Sequence, residues 1–304
     1  MPEYTYYTAD VFTGQVFGGN PLAVLPDARG LDPATMQLIA REFNYSETVF
    51  VVPPDDPAHT RRLRIFTPGG ELPFAGHPTV GTAFVLAASG ALPLTGDLTR
   101  IVFEEGVGPI PVAIRARDGA PYYTQLSAAK MPEFGPEPPA LAEIAQVFSL
   151  QPDDFLNGDF TPQAVSCGVP FLFVPLASRA ALARIRLDRA AWERSLAGYW
   201  APEVFLFSFE TERPTSDLHA RMFAPRMGIA EDPATGAAAT ALAGYLSRRD
   251  LSPAAQLHWV VEQGFEMGRP SILEVEAERQ GGVVTAIRVG GASVLVSRGV
   301  LSLP

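Results

Sequence analysis

The sequence has little cysteine, little positive charge and no long apolar run, and each shortage excludes a class of protein. With one cysteine, Cys167, no intrachain disulfide can form, so a reducing, cytoplasmic location is expected. The formal net charge of −10 argues against nucleic acid or an anionic membrane as a partner. No apolar run reaches the roughly 18 residues that a membrane span needs, and the first residues do not resemble a secretory signal.

Histidine is also scarce, and its spacing excludes a common kind of metal site. The four histidines (His59, His77, His219 and His258) are scattered, so no zinc motif is present and no metal is predicted. The remaining composition, with 47% hydrophobic and 18% charged residues, is typical of a globular protein. A chain of 304 residues favours two domains or one large domain.

Five short segments recur in the same order in both halves of the chain, offset by roughly 150–158 positions. Five matches in one order indicate an internal duplication, although strand and turn composition that recurs by chance is the alternative. The pairs are GNPLAVLP (19–26) with GVPFLFVP (168–175), TVFVV (48–52) with EVFLF (203–207), RIFTP (64–68) with RMFAP (221–225), GHPTVGTA (76–83) with EDPATGAA (231–238), and FEEG (103–106) with VEQG (261–264).

Two predicted helices follow the paired proline turns, over residues 79–90 and 234–247. Both carry little charge, which is typical of helices buried on most faces. Ten predicted strands with few helices indicate an α+β fold. A hairpin followed by a proline-rich stretch near residues 116–130 is expected to join two domains, residues 1–125 and 126–304.

The aligned proline turns place His77 opposite Asp232, with Gly81 and Gly236 following at the same spacing. A helix N-terminus with free backbone donors is a ready anion site. Two such ends, facing each other across a cleft, would suit a small carboxylate-bearing substrate. The backbone N–H groups expected to point outwards are those of Gly81, Thr82, Gly236 and Ala237.

Structural roles compete with these functional ones. Asp232 is equally compatible with a helix N-cap, and an isolated histidine such as His77 is more often structural. Cys167 at a strand entrance is interpreted as a small buried apolar residue. Three acidic residues are interpreted as turn or surface groups: Glu104, Glu105 and Glu262.

Glu47, in the segment NYSETVFV (44–51), has no acidic counterpart in the aligned repeat, although a shift of one residue would pair it with Glu203. A carboxylate at the mouth of a buried strand loses hydration, which favours proton transfer near neutral pH. The symmetric groups therefore suggest a binding apparatus, and Glu47 suggests the acid/base. A surface glutamate before a strand is the alternative.

At these residues the chain resembles the PhzF-like family of phenazine biosynthesis, within the diaminopimelate-epimerase-like superfold. The resemblance covers nearly the whole length. It rests on the motifs DVFTGQVFGGNPLAV (10–24), NYSETVFV (44–51), RIFTPGGELPFAGHPTVGTA (64–83), RMFAPRMGIAEDPATGAAA (221–239), EQGFEMGRPS (262–271) and VGGASVLVSRGVL (289–301).

The resemblance implies two similar domains, each a barrel-like, mostly antiparallel sheet wrapped around a central helix. It allows the last strand, about residues 292–302, to return to the first domain. It implies a homodimer that needs no cofactor and has its active site in the inter-domain cleft. Glu47, His77 and Asp232 take the catalytic positions. The residues implied to bind substrate are Asn20, Gly76, Gly81, Gly236 and Ala237.

Two departures from the family pattern bear on function. Many members have a hydroxyl residue where this chain has Ala237, and two-thiol epimerases carry a cysteine at each helix start, which Cys167 does not supply. The leading hypothesis is an isomerase in which Glu47 moves a proton within a small carboxylate-bearing metabolite. The alternatives are a racemase or epimerase with non-thiol bases, and a catalytically idle small-molecule-binding protein.

Overall fold

The computed structural model describes residues 2–303 and divides them into two compact units. The first unit comprises residues 2–129 and 289–303, and the second unit comprises residues 130–288. No helix among the described residues is long and apolar enough to cross a membrane.

The first unit is built on one mixed sheet in the order β18–β1–β2–β3–β4–β6–β7–β8, with a short β5 beside β4. The pairs β2–β3 and β4–β6 are parallel and the others antiparallel. The strands are β1 (Glu3–Val11), β2 (Asn20–Leu25), β3 (Glu47–Val52), β4 (Arg61–Phe66), β5 (Glu71–Leu72), β6 (Leu98–Glu105), β7 (Gly108–Arg117), β8 (Ala120–Ser127) and β18 (Ser293–Ser302), and the helices are α1 (Pro33–Phe43) and α2 (Gly76–Ala88).

The second unit repeats this plan in the order β9–β10–β11–β12–β13–β15–β16, with β14 beside β13. Its parallel pairs, β11–β12 and β13–β15, occupy the places of those in the first unit. The strands are β9 (Glu133–Phe134), β10 (Gln163–Ser166), β11 (Pro170–Pro175), β12 (Glu203–Ser208), β13 (Leu218–Ala224), β14 (Ile229–Asp232), β15 (Gln256–Gln263) and β16 (Ser271–Gln280), and the helices are α3 (Leu141–Phe148), α4 (Arg179–Arg184), α5 (Arg189–Ser195) and α6 (Gly236–Ser247). Strand β17 (Val283–Gly291) begins in this unit and ends in the residues assigned to the first. The predicted α+β class is confirmed.

One buried helix lies at the centre of each unit. Every residue of α2 from Gly76 to Ala87 is buried, and the helix contacts strands β1, β2, β3, β7 and β8. In α6 all residues except Ala237 are buried. The uncharged sequences of these helices are explained by this enclosure, because a charged side chain on any face would lose its water. Both helices begin at a different residue from that predicted, at Gly76 and Gly236.

The two units repeat an arginine–glutamate pair, and this pair corrects the predicted alignment. Arg64 binds Glu71 through two hydrogen bonds of 2.8 and 2.6 Å, and Arg221 binds Glu231 through two of 2.7 and 2.8 Å. Each glutamate stands five residues before the first residue of the central helix. The predicted match of His77 with Asp232 is therefore wrong.

The connection between arginine and glutamate is longer in the second unit, which explains the error. The partners are seven residues apart in the first unit and ten in the second. Counting back from the helix starts, His77 corresponds to Ala237, and Asp232 corresponds to Leu72. The shifted alignment follows from matching Pro78 with Pro233, which have similar neighbours in the sequence.

Glu47 also has an acidic counterpart, contrary to the prediction. In the parallel pair β2–β3, Leu22 lies opposite Glu47, and in β11–β12 Phe171 lies opposite Glu203. Leu22 and Phe171 are matched in the repeat that begins at residues 19 and 168. Glu47 and Glu203 are thus equivalent, each the first residue of its strand.

The acidic residues predicted to lie in turns or on the surface are largely enclosed. Glu104 accepts hydrogen bonds from the backbone N–H groups of residues 55 and 56, both at 2.7 Å, and Glu262 from those of residues 212 and 213, at 2.5 and 3.1 Å. Glu105 and Glu262 are buried. The surface interpretation is wrong because Glu104 and Glu262 bind neighbouring loops and Glu105 binds Thr79 of α2, partners that the sequence alone does not place beside them.

We expect Gly264→Ala to lower the free energy of unfolding by about 3 kcal/mol, because a left-handed backbone and a close contact both oppose a side chain there. Gly264 has φ +79°, and an added Cβ would lie 2.5 Å from the carbonyl oxygen of Arg269 and 2.6 Å from that of Pro233. Gly268→Ala is the matched control, since φ is +68° with no atom within 4 Å. Urea unfolding of both variants checks the prediction, and equal losses would contradict it.

Candidate active site

Glu47 lies at the start of β3, where its buried side chain meets the first turn of α2. It is 7% exposed. Its Oε2 lies 3.2 Å from Nε2 of His77, which follows the first residue of α2. Side chains alternate between the two faces of a strand, so Glu47 and Phe50 lie on opposite faces of β3. Phe50 packs in a hydrophobic cluster with Met36 of α1, and Glu47 lies on the face that α2 covers. The local pleat thus directs this carboxyl group towards the helix start.

His77 is a neutral imidazole whose tautomer is set by Asn20. The amide nitrogen of Asn20 lies 3.2 Å from Nδ1 of His77. Because an amide nitrogen only donates, Nδ1 accepts, and the ring proton is on Nε2, facing Glu47. Complete burial lowers the pKa of His77 to about 3, so the ring stays neutral at physiological pH. His77 is therefore a neutral neighbour of the carboxyl group and not its counter-ion.

The start of α2 is not capped by a side chain. Ala75 is its N-cap residue, and the first amide to bond within the helix is Thr79, whose N–H donates to the carbonyl of Ala75 at 3.3 Å. The N–H groups of Gly76 and His77 precede it and have no helical acceptor. Such donors, together with the helix dipole, favour an anion beside Glu47 and His77.

Gly81 does not lie at the helix start. Since α2 begins at Gly76, Gly81 and Thr82 belong to its second turn, so the prediction that their N–H groups are free terminal donors is wrong. Gly81 has a packing role instead. A Cβ there would lie 2.5 Å from a methyl carbon of Val11 and 2.6 Å from one of Leu22. The small residue lets α2 approach β1 and β2 closely.

The side chain of Glu105 contacts the first turn of α2. Its Oε1 accepts the hydroxyl proton of Thr79 at 2.6 Å, and the same hydroxyl group contacts the carbonyl of Ala75 at 2.7 Å. Burial raises the pKa of Glu105 to about 8, although hydrogen bonds from Thr79 and from the Ala75 backbone act in the opposite direction. A largely neutral carboxylic acid therefore fixes the turn that carries His77.

In the second unit, Asp232 occupies a buried position three residues before the N-cap of α6. The N-cap residue is Thr235, so Asp232 does not cap the helix. The Asp232 carboxylate accepts the Thr235 hydroxyl proton at 2.5 Å. Gln263 donates to the Asp232 carbonyl at 2.7 Å and accepts from the Thr235 N–H at 3.1 Å. This bridge holds the acidic residue beside the helix start.

The start of α6 likewise has no side-chain cap. The first amide to bond within this helix is Ala239, whose N–H donates to the carbonyl of Thr235 at 2.9 Å. The N–H groups of Gly236, Ala237 and Ala238 precede it. Gly236 and Ala237, which the sequence analysis predicts to bind substrate, are the first two residues of α6. Ala237 offers its backbone N–H but no side-chain hydroxyl group.

Thiol chemistry has no place in either arrangement. Cys167 is buried, its Sγ lies 3.8 Å from the carbonyl of Thr240, and burial raises its pKa to about 12. The thiol therefore stays protonated, as the apolar interpretation predicts. Among residues 2–303, no group of three or more His, Cys, Asp or Glu side chains is arranged to hold a metal ion.

The predicted site residues thus fall into two local groups. Asn20, Glu47, Gly76 and His77 lie together in the first unit, whereas Asp232, Gly236 and Ala237 lie together in the second. The sequence analysis gives no site role to three residues around these groups: Glu105, Gln263 and Glu203. A signal for the first two exists, because they occupy the same position in the repeated segments FEEG and VEQG.

The comparison with known proteins extends over the whole chain. The family described as phenazine biosynthesis-like protein matches residues 9–299. An uncharacterised isomerase of Mesorhizobium japonicum is 42% identical, with 99% of each chain covered. The trans-2,3-dihydro-3-hydroxyanthranilate isomerase of Pseudomonas fluorescens is 35% identical, covering 99% of this chain and 100% of the relative.

A solved structure shows the same fold. The PhzF-family phenazine biosynthesis protein of Bacillus anthracis matches with a TM-score of 0.88 at 24% identity, over 100% of both chains. The family match, the identity to the relatives and their near-complete coverage agree with the motifs quoted above. This chain belongs to the phenazine biosynthesis-like (PhzF) protein family.

Proposed function

We propose that this protein is a cofactor-independent isomerase of a small carboxylate-bearing metabolite, with Glu47 as its general acid/base. The observation that supports this most directly is the buried contact between Glu47 and a neutral His77, next to the uncapped start of α2. A carboxyl group removed from bulk water is suited to proton transfer, and the adjacent backbone donors are suited to an anion.

The reaction begins when Glu47 removes a proton from a carbon next to a carboxylate-activated, unsaturated system. The electron pair moves into that system, and the proton returns to another carbon of the same molecule. In the simplest form of the reaction Glu47 also returns it. His77 and Asp232 orient amino or hydroxyl groups of the substrate. The backbone donors at the uncapped N-terminus of α2 bind its carboxylate in this proposal.

The named relatives suggest a probe for this reaction. Trans-2,3-dihydro-3-hydroxyanthranilate combines a carboxylate, an amino group and a hydroxyl group on an unsaturated ring. Each of these groups has a counterpart in the proposed roles of the start of α2, His77 and Asp232. We therefore propose this compound, or one with the same arrangement of groups, as the substrate.

The wild-type protein is expected to convert trans-2,3-dihydro-3-hydroxyanthranilate to an isomer of unchanged mass in ordinary water. Conversion followed by mass spectrometry and proton NMR checks this, and a chelator such as EDTA should leave the rate unchanged. In deuterium oxide, a product that gains deuterium at one carbon would show proton exchange during the reaction. Absence of turnover across pH 5–9 would contradict the proposed function.

A further inference from the structure

His219 is buried in the second unit between two carboxylates. It lies in β13 and is 1% exposed. Its Nδ1 lies 2.7 Å from Oε1 of Glu262 in β15, and its Nε2 lies 2.9 Å from Oε1 of Glu266, just after β15. The ring of Phe265 meets the imidazole edge to face, with centroids 5.5 Å apart. The proposed reaction gives this cluster no task.

The two contacts show that the ring of His219 carries two protons. Glu262 and Glu266 are carboxylates at neutral pH, and a carboxylate only accepts hydrogen bonds. Each ring nitrogen must therefore donate, which makes the ring an imidazolium ion. Burial favours the neutral ring, but hydrogen bonds to Glu266 and Glu262 and their negative charges raise the pKa of His219 above its usual 6.5.

The connection that carries Glu266 is longer than its counterpart in the first unit. Residues 264–270 join β15 to β16, whereas residues 106–107 join the equivalent strands β6 and β7. The longer connection is a compact turn, in which the N–H of Arg269 donates to the carbonyl of Gly264 at 3.0 Å. Glu266 thus ties an extension that only the second unit has to the imidazolium ion.

The segment bound by the imidazolium ion also fixes the turn before α6. Gln263 donates to the carbonyl of Asp232 at 2.7 Å and accepts from the N-cap amide of α6 at 3.1 Å. Gly264 approaches the same turn, since a Cβ there would lie 2.6 Å from the carbonyl oxygen of Pro233. Both contacts come from residues 262–266, whose two ends the imidazolium ion binds.

We propose that His219 is a pH-sensitive switch: its imidazolium form holds residues 262–266 on β13 and thereby orders the turn at Asp232, and its neutral form releases Glu266. Every contact in this proposal lies within the second unit. The inference goes beyond the proposed function and does not depend on it.

Glu266 is the carboxylate that separates when the ring becomes neutral. Glu262 is fully buried and also accepts two backbone N–H groups, at 2.5 and 3.1 Å, whereas the Glu266 side chain is 18% exposed. The remaining ring proton therefore stays on Nδ1. Nε2 then presents a lone pair to the Glu266 carboxylate, which is repulsive. An open cavity of about 470 Å³ beside Glu266 gives the released side chain access to water.

The other charged groups near the ring are already paired. Arg221, two residues further along β13, binds the Glu231 carboxylate and acts on Glu266 only through its charge. The cavity is also lined by three charged residues that bind one another: Arg179, Glu210 and Glu212. The proton on His219 is thus the charge that changes between pH 6 and 10 while facing both Glu262 and Glu266.

NMR of the whole chain with ¹⁵N-labelled histidine reads this proton directly, because the chain has four histidines. We expect two N–H groups on the His219 ring at pH 6, and loss of one of them with a midpoint above pH 6.5. Glu266→Gln should move this midpoint to lower pH, because it removes one of the two negative partners. A wild-type ring with a single N–H at pH 6 would overturn the proposal.

Amide hydrogen exchange, followed by mass spectrometry from pH 6 to 10, shows whether the proton acts on the turn. At pH 6, residues 232–238 and 264–270 should exchange about tenfold faster in Glu266→Gln than in wild type, because a charge-assisted hydrogen bond is lost. Comparison at equal pH cancels the intrinsic pH dependence of exchange. The ratio should fall towards one in step with the loss of the wild-type ring proton measured by NMR.

Glu274→Gln is the matched control for the exchange measurement. Glu274 lies in β16 of the same unit, is 41% exposed and stands 3.9 Å from another histidine, His258. Its replacement should leave the exchange of both segments as in wild type at every pH. If Glu266→Gln does not fold, wild-type exchange of residues 232–238 relative to residues 256–261 of β15 replaces the ratio, and it should rise as the ring loses its proton.

Two results would overturn the switch. One is equal exchange of residues 232–238 in folded Glu266→Gln and wild type at pH 6, and the other is exchange that does not follow the ring proton. Neither measurement uses a substrate. Failure of the proposed isomerase reaction therefore leaves this test unchanged, and failure of the switch leaves the proposed function in place.

Discussion

Glu47→Gln is expected to lower kcat by about 10²–10⁴-fold, the range typical for loss of a general acid/base. Glutamine keeps the shape of the side chain and its hydrogen-bonding atoms but cannot carry the transferred proton. Substrate binding should persist, because the backbone donors of Gly76 and His77 are unchanged. The measurement is turnover of the probe beside a binding titration for wild type and variant.

Glu42→Gln is the matched control for this experiment. Glu42 lies in α1 of the same unit and is exposed, so its replacement should leave both turnover and binding as in wild type. Normal turnover by Glu47→Gln would assign the proton transfer to another group, with Asp232 the next candidate. A parallel loss of binding and turnover would make Glu47 a ligand contact and not the base.

Glu105→Gln should remove a large pH dependence from the stability of the first unit. The pKa of Glu105 rises from 4.5 to about 8 on folding, which corresponds to about 5 kcal/mol. The folded state prefers the protonated form, so its contribution is complete below pH 4.5 and is lost as the pH rises to about 8. Glutamine does not titrate, so the free energy of unfolding of the variant should rise relative to that of wild type across this pH interval.

The second unit shows that glutamine fits this position. Gln263 is the residue equivalent to Glu105, and it bridges the last carbonyl of β14 and the N-cap amide of α6 at 2.7 and 3.1 Å. A glutamine at position 105 has the equivalent backbone groups of Leu72 and Ala75 within its turn. We therefore expect the substitution to preserve the start of α2 while abolishing the titration.

Urea unfolding at pH 5, 7 and 9, followed by far-UV circular dichroism, measures the effect. The free-energy difference between Glu105→Gln and wild type should increase by about 3–5 kcal/mol from pH 5 to pH 9. Tryptophan fluorescence reports on the second unit, because Trp192, Trp200 and Trp259 all lie there. A difference that does not change with pH, or that decreases, would contradict a buried neutral Glu105.

Some of this architecture could be predicted because it rests on local composition. Uncharged sequences identified α2 and α6 as buried helices, and repeated segments indicated the duplication. Helix α1 was missed although its signals are local. Asp32 caps it by accepting the Thr35 N–H at 3.0 Å, Pro33 begins it, and Asn44 ends it with φ +53°. Its buried residues Met36, Ile39 and Ala40 recur at helical spacing.

Other features depend on contacts that a sequence does not display. The alignment of the two repeats near Asp232 depends on a connection that is three residues longer in the second unit. The arginine–glutamate pairs show this difference in length. The burial of Glu105 and Glu203 depends on which helix covers them. The local sequence does not show whether a glutamate lies in an exposed turn or is buried against the first turn of a helix. The protonation states of these carboxyl groups could therefore not be predicted from the sequence.

The pairing of the two terminal strands determines the order in which this chain can be completed. Ser302 lies opposite Glu3 in an antiparallel pair, so the outer neighbour of β1 is translated about 290 residues after it. The second unit is one uninterrupted stretch, residues 130–288, and all of it emerges earlier. The later-encoded half is therefore the first that can close its sheet during synthesis. The unit that carries Glu47 cannot complete its sheet until β18 has been translated.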